Sequence, residues 1–252
     1  MVHFVGAGPG ATDLITLRGV KLLREADCII YAGSLVNPAL LEERKIGCTV
    51  YDSASMTLEQ VLEVIQANEK EEKTTVRLHT GDPCLYGAIR EQMDALDTLG
   101  IPYDDTPGVS SFCAAAAALQ AEYTLPNVSQ SVIITRMAGR TPVLEGEALE
   151  KMAAHGCTLV LFLSTGLLEE AEKALLAGGA YTRDTPAAIV YKASWPEEKV
   201  FRCTVGTLAE TARENHITKT ALITVGGFLG DAYERSRLYD PSFSHGFREG
   251  SR

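Results

Sequence analysis

The chain has 252 residues, 46% apolar and 22% charged, with 23 basic against 33 acidic side chains for a net charge of -10. That is enough chain to bury a core without disulfide staples, and the acidic balance argues against nucleic acid as a partner, because phosphate binding wants a basic face. The start lacks a basic segment followed by an apolar one, and no apolar run is long enough to span a membrane, so a cytoplasmic protein is expected.

In chain order, the first half repeats one pattern three times: apolar run, glycine/proline turn, helix. The first copy is "HFVGAGPG" followed by "TLRGVKLLREAD", in which Thr16 is an N-cap candidate and Leu17, Val20 and Leu23 or Ala26 share a face. A strand, "DCIIYAG", and an amphipathic stretch, "TLEQVLEVIQANEKEEK", lead to the second copy, "TVRLHTGDPCLYG" then "AIREQMDALDTLG", with Gly100 as the C-cap. The third is "IPYDDTPGVSS" then "FCAAAAALQA". The polar, proline-marked stretch 122–130 reads as a linker between a domain at 1–121 and another at 131–252. The second half offers strands in "SVIITRMAG", "CTLVLFLSTG", "AAIVYKAS", "KVFRCTVGTL" and "KTALITVGG". Helices are expected at 146–155, 167–177 and 207–215, and a hairpin turns at the Trp-Pro of "AAIVYKASWPEEKVFRCTV". Strands alternating with helices imply a mainly parallel sheet in the first domain, and the hairpin a mixed sheet in the second, so the fold class is α/β with two α/β domains.

In parallel sheets ligands bind outside the carboxyl ends of the strands, so "GAGPG", "TGDPCLYG" and "TPGVSS" should share one edge. Gly6, Gly8 and Ala11 match the letters of a dinucleotide fingerprint, but the context does not. The helix signal starts late, near Thr16, Pro9 removes a backbone N–H, and no acid follows "CIIYA". Asp82, at a strand end, suits either a ligand hydroxyl or amine or the cap of the next helix, and Ser110 and Ser111 are open to the same two readings. The six cysteines (28, 48, 84, 113, 157 and 203) and five histidines are scattered, which points to reduced core thiols and no metal site. No GxSxG or SxxK motif supplies a nucleophile, so chemistry that positions a reactive cofactor fits better than covalent catalysis.

"VGAGPGATDLITLRGVKLLREADCIIYAG", "RLHTGDPCLYG" and "TPGVSSFCAAAAAL" together resemble the tetrapyrrole methylases, over essentially the whole chain and in order. "YAGSLVNPALL", "DSASMTLEQ", "TRMAGRTPV" and "SRLYDPSFSHGFR" resemble, within that family, the enzymes that methylate a precorrin at carbon 11. The resemblance implies two α/β domains, S-adenosylmethionine as methyl donor held in a cleft between them, a small-molecule tetrapyrrole substrate and a homodimer. It also implies cofactor contacts at Pro9, Thr80, Gly81, Asp82, Leu85, Ser110, Ser111, Leu163, Ala193 and Ala221. A substrate with many carboxylates calls for a basic lining, for which Arg18, Arg136 and Arg140 are candidates, while Gly8 and Gly10 would let the first loop pass close to a large flat ring system. Some relatives carry an acid, proposed as a base, where this chain has Ala32, so no general base is assigned. Two other readings stay in view: a sister methylase acting at another precorrin carbon, and a binding module without chemistry.

Overall fold

A computed structural model describes residues 1–251 and divides the chain into two compact units. The first comprises Met1–Ala114 with Ala193–Glu197, the second Ala115–Lys192 with Glu198–Arg252.

The first unit is a five-stranded, all-parallel sheet in the order β3-β2-β4-β1-β5. The strands are β1 (Val2–Gly6), β2 (Cys28–Tyr31), β3 (Thr49–Asp52), β4 (Thr75–His79) and β5 (Tyr103–Thr106). Helix α1 (Leu17–Glu25) lies between β1 and β2, α2 (Leu58–Lys70) between β3 and β4, and α3 (Arg90–Leu99) between β4 and β5. Side chains alternate across the sheet. Val5, Ile29, Val76 and Leu78 pack on one face with Leu23 of α1, while Phe4, Cys28 and Ile30 pack on the other with Val61 and Ile65 of α2 and Leu96 of α3.

Local signals set the helix ends. Thr16 Oγ1 accepts from Gly19 N at 3.1 Å, Thr57 and Gln60 form a reciprocal capping box on α2, and Gly100 closes α3 at φ 66°. One expectation for α1 fails. Leu17 is 91% exposed, and the buried stripe is Gly19, Leu23 and Ala26. At the helical repeat Leu17 falls on nearly the opposite side from Gly19, whose bare Cα packs on Ile15 and Val5.

The second unit is a mixed sheet in the order β6-β7-β10-β8-β9. Its strands are β6 (Val132–Arg136), β7 (Thr158–Phe162), β8 (Pro186–Tyr191), β9 (Lys199–Thr204) and β10 (Ala221–Val225). β6 and β7 are parallel, β8 and β9 form the expected antiparallel hairpin, and β10 inserts antiparallel to both β7 and β8. Helices α5 (Leu149–Ala153), α6 (Leu168–Ala177) and α7 (Leu208–Glu214) bury Leu149, Leu168, Ala171, Leu175, Leu208 and Ala212. The strands meet them with the period-two set Leu159, Leu161, Ile189, Ile223 and Val225. Among the described residues no helix is long and apolar enough to cross a membrane.

The division differs from the reading at 122–130. The units part at Ala114 and Ala115, inside helix α4 (Ser111–Leu119), and 193–197 rejoins the first unit. Segment 122–130 is not a free linker, because Tyr123 and Ser129 are buried and held to β7. Thr158, wholly buried, donates its hydroxyl to Tyr123 O at 2.8 Å and its N–H to Ser129 Oγ at 3.0 Å. All six cysteines are unpaired thiols, but the expectation that they are core residues holds fully only for Cys28, since Cys84 and Cys113 are exposed and the others half-buried. Replacing Thr158 by valine keeps the volume and removes the hydrogen bond to the Tyr123 carbonyl. We expect urea unfolding to show a loss of about 1–3 kcal/mol.

Candidate functional site

The register of the first sheet brings the three glycine-marked turns to one level. Gly6 pairs with His79 and Val5 with Thr106, so the loops after β1, β4 and β5 leave the same carboxyl edge side by side. Gly8 N donates to Gly81 O at 3.2 Å and Gly81 N to Gly8 O at 2.8 Å, making a small bridge beyond the sheet. Both residues have positive φ, 77° and 60°, which glycine adopts without strain. A Cβ on Gly6 would sit 2.5 Å from Gly108 Cα, and one on Gly108 would sit 2.1 Å from Gly81 O. The backbones of the three loops therefore touch, and no side chain fits between them.

Asp82 fastens the arrangement. Its Oδ1 accepts from Cys84 N at 2.8 Å, turning its own loop, and its Oδ2 accepts from Gly108 N at 3.0 Å, holding the third loop. The neighbouring Cys84 is exposed, but its thiol is pushed up to about 11, chiefly by its hydrogen bond to the Asp82 carboxylate, so it is no thiolate nucleophile at neutral pH. The first loop is latched from far along the chain. Trp195 Nε1 donates to Pro9 O at 2.9 Å, Ser194 Oγ accepts from Ala11 N at 3.0 Å, and a Cβ on Gly10 would strike the indole at 2.1 Å. Gly8 and Gly10 thus have partners inside the chain: a Cβ on Gly8 would meet Leu14 O at 2.8 Å, and Gly10 faces Trp195. Pro9, Thr80, Gly81, Asp82, Leu85, Ser110, Ser111 and Ala193 all fall in this first unit, on the three loops or on the Trp195 segment.

Leu163 and Ala221 lie at one edge of the second sheet, beyond the end of β7 and at the start of β10. Leu163 is 65% exposed and left-handed at φ 51°, a strained backbone for a leucine. Its neighbour Ser164 is wholly buried, accepting from Met137 N at 2.8 Å and donating to Phe162 O at 2.7 Å. Thr165 Oγ1 donates to Ala221 O at 3.0 Å, tying β7 to β10 at this edge. Lys192 and Ser194, on either side of buried Ala193, are also left-handed.

The arginine candidates separate. Arg136 ends β6 and spends its guanidinium on backbone: Nη1 donates to Met137 O and Thr141 O, and Nη2 to Pro142 O at 2.7 Å. These bonds hold the loop after β6. Arg18 and Arg140 are exposed, on the first turn of α1 and in that same loop.

Two residues the sequence reading passed over stand out. Arg77 and His79 are alternate residues of β4, 7% and 5% exposed, on the face toward α2 and α3. They line a cavity of about 250 Å³ with Thr57, Val61, Leu85 and Gln92. Arg77 Nε donates to Gln92 Oε1 at 3.0 Å and Nη1 to Ile30 O at 3.1 Å, and burial lowers the guanidinium to about 10. Burial, helped by the Arg77 charge, lowers His79 to about 3, so the ring is neutral at physiological pH. The signal is present in "TVRLH": a strand buried on both faces should read almost wholly apolar, and here the three alternate positions Thr75, Arg77 and His79 do not.

With this geometry in view, the comparisons with known proteins fall into place. The sequence model of the tetrapyrrole (corrin/porphyrin) methylases matches residues 1–209. The chain belongs to that family. It is 49% identical to the cobalt-precorrin-4 C(11)-methyltransferase of Methanocaldococcus jannaschii over 98% of this chain and 96% of that protein. To the precorrin-4 C(11)-methyltransferase of Pseudomonas aeruginosa it is 42% identical over 99% of each. A solved cobalt-precorrin-4 methyltransferase superposes with a TM-score of 0.89 at 46% identity, covering 91% of this chain and 96% of that one. The uroporphyrin-III C-methyltransferase of Thermus thermophilus, solved with S-adenosylhomocysteine, gives 0.73 at 27% identity, covering 90% and 98%. The two-domain α/β architecture expected of the family is the one observed.

Two measurements test this edge. Gly108→Ala forces a methyl against the Gly81 carbonyl, and chemical unfolding should show a loss of about 3 kcal/mol, the upper range for overpacking. For His79 the folded state favours the neutral ring. Its contribution is complete above the unfolded value of 6.5 and is lost as pH falls toward about 3. Between pH 7.5 and 5 the loss should be about 2 kcal/mol, and His79→Gln should lack that part of the acid slope.

Proposed function

We infer that this chain transfers a methyl group from S-adenosylmethionine to carbon 11 of precorrin-4 or its cobalt complex, giving the corresponding precorrin-5 in corrin-ring synthesis. The observation that carries the reading is end-to-end identity of 42–49% to proteins of that named activity. Identity of 49% and 47% to two cobalt-precorrin-4 enzymes, against 42% to a precorrin-4 enzyme, favours the cobalt complex as substrate. A sister activity at another carbon is less well supported, since the uroporphyrinogen-III C-methyltransferase of Bacillus subtilis is 32% identical. The enzyme is assigned to the cytoplasm, working as a homodimer without nucleic-acid or membrane partners, on family resemblance and the acidic charge balance.

The residues present fit the methyl donor. Leu163 offers an exposed apolar side chain suited to the flat face of a purine, and it is kept there by a strained backbone. Beside Gly81 the nearest atoms to an added Cβ, Ser111 N and Ser110 Cα, lie 3.5 and 3.6 Å away, leaving that side of the loop uncrowded. The family resemblance assigns its contacts to Pro9, Thr80, Gly81, Asp82, Leu85, Ser110, Ser111 and Ala193 in the first unit, and to Leu163 and Ala221 in the second. When bound, S-adenosylmethionine supplies a methyl already activated on a sulfonium. The chain's task is then orientation and exclusion of water, and no side-chain nucleophile is called for. Asp82 serves that task by rigidifying its own loop and the third, and Trp195 by fixing the first.

Incubation with precorrin-4 and with cobalt-precorrin-4 plus isotope-labelled methyl donor should add one labelled methyl, placed by NMR at carbon 11. A methyl on any other carbon would assign the sister activity. Absence of both turnover and S-adenosylhomocysteine binding by calorimetry would leave the binding module.

A further inference from the structure

We propose that the cavity beside β4 is an anion subsite in which Arg77, with His79 beside it, takes one carboxylate side chain of the tetrapyrrole. The proposal rests on the activity inferred above and names residues that the family resemblance did not. Arg77 is a charge in the sheet interior, and such a charge is costly to bury unless it is paired. Its hydrogen bonds are to the neutral Gln92 amide and the Ile30 carbonyl, and it makes no ion pair with a carboxylate among the described residues. Gln92 is itself buried and held through Nε2 to Ala88 O at 2.9 Å, so the guanidinium is aimed by a fixed partner. His79 Nε2 is buried without a hydrogen-bond partner, a second uncompensated polar group on the same cavity wall.

The charged groups lining the cavity are Arg77, His79 and Glu91. Glu91 is exposed, on the first turn of α3, and it makes no ion pair with Arg77. With His79 neutral, the buried part of the wall carries one positive charge, which a single carboxylate would balance. A volume of about 250 Å³ admits an acetate or propionate side chain. The proposed pose inserts one acid arm and leaves the ring system outside. Thr80 and Leu85 line the same cavity and belong to the loop that carries the donor contacts, so an arm held here positions the ring relative to that loop.

The test uses the full chain with Arg77→Lys and His79→Gln, each first shown folded by circular dichroism and a thermal melt. We expect KM for cobalt-precorrin-4 to rise roughly 10- to 100-fold, the range for a lost hydrogen bond to a charged group. We also expect kcat to change less than threefold and S-adenosylhomocysteine affinity to be unchanged. An unchanged KM in folded variants would overturn the subsite. A second arm needs no turnover. Acetate added to protein with ¹⁵N-labelled histidine should shift the His79 ring signals in the wild type and not in Arg77→Lys. If acetate binds but no precorrin is methylated, the anion site stands and its assignment to a tetrapyrrole arm falls. If precorrin is methylated but acetate does not bind and KM is unmoved, the activity stands and the subsite falls.

Discussion

Direct backbone contact among three loops is the constraint on which the first unit's functional edge depends. Gly6, Gly81 and Gly108 come from turns far apart in sequence, yet a methyl on Gly6 or Gly108 would strike the neighbouring loops. Such contact requires the parallel register that ends β1, β4 and β5 at one level, and a means of holding irregular backbone once the sheet has ended. The Gly8–Gly81 bridge and the Asp82 carboxylate provide it. Loops usually carry function at the expense of order. Here they are stiffened by hydrogen bonds of their own, which suits a reaction whose catalysis is mostly placement.

The same logic gives a different role to glycines that resemble a nucleotide fingerprint. In that fingerprint they clear a path for a pyrophosphate at a helix N-terminus. In this chain a short helical turn at Thr12–Leu14 separates the loop from α1, and Gly8 and Gly10 clear a path for Leu14 and Trp195 instead. The second sheet solves its edge differently, with a leucine forced into the left-handed region. Strain of this kind, of order 1–3 kcal/mol per residue, persists where surrounding structure enforces it. At Leu163 the buried Ser164 hydrogen bonds do so.

Much of the fold was legible because the signals were local. Thr16, Gly100 and the Trp-Pro hairpin each declare themselves within a few residues, and the convergence of three turns follows from strand–helix alternation alone. What escaped was non-local or lacked a pattern. Strand β3 is exposed along its whole length and bears no apolar alternation, so it reads as loop until β2 is there to pair with it. Leu17 is apolar but lies off the buried stripe of α1, a helix phase that composition does not give. The 122–130 segment has the composition of a linker, and only Thr158, across the sheet, shows that it is anchored. Arg77 and His79 were visible as letters, but their meaning needed the knowledge that β4 is buried on both faces. Arg136 was chosen for its chemistry, and its geometry then showed the guanidinium already engaged by its own loop.

The Trp195 latch bears on how this molecule can be taken apart. Residues 193–197 are made long after the first sheet's strands, yet they count among that sheet's own parts. A fragment ending anywhere before them would leave the Pro9 carbonyl without its indole donor and Gly10 facing the space the indole fills. The first unit is therefore not a stretch of chain. Its gene-level boundaries do not exist as a single segment, and during synthesis its first loop must wait for more than half of the protein before it can take its final form.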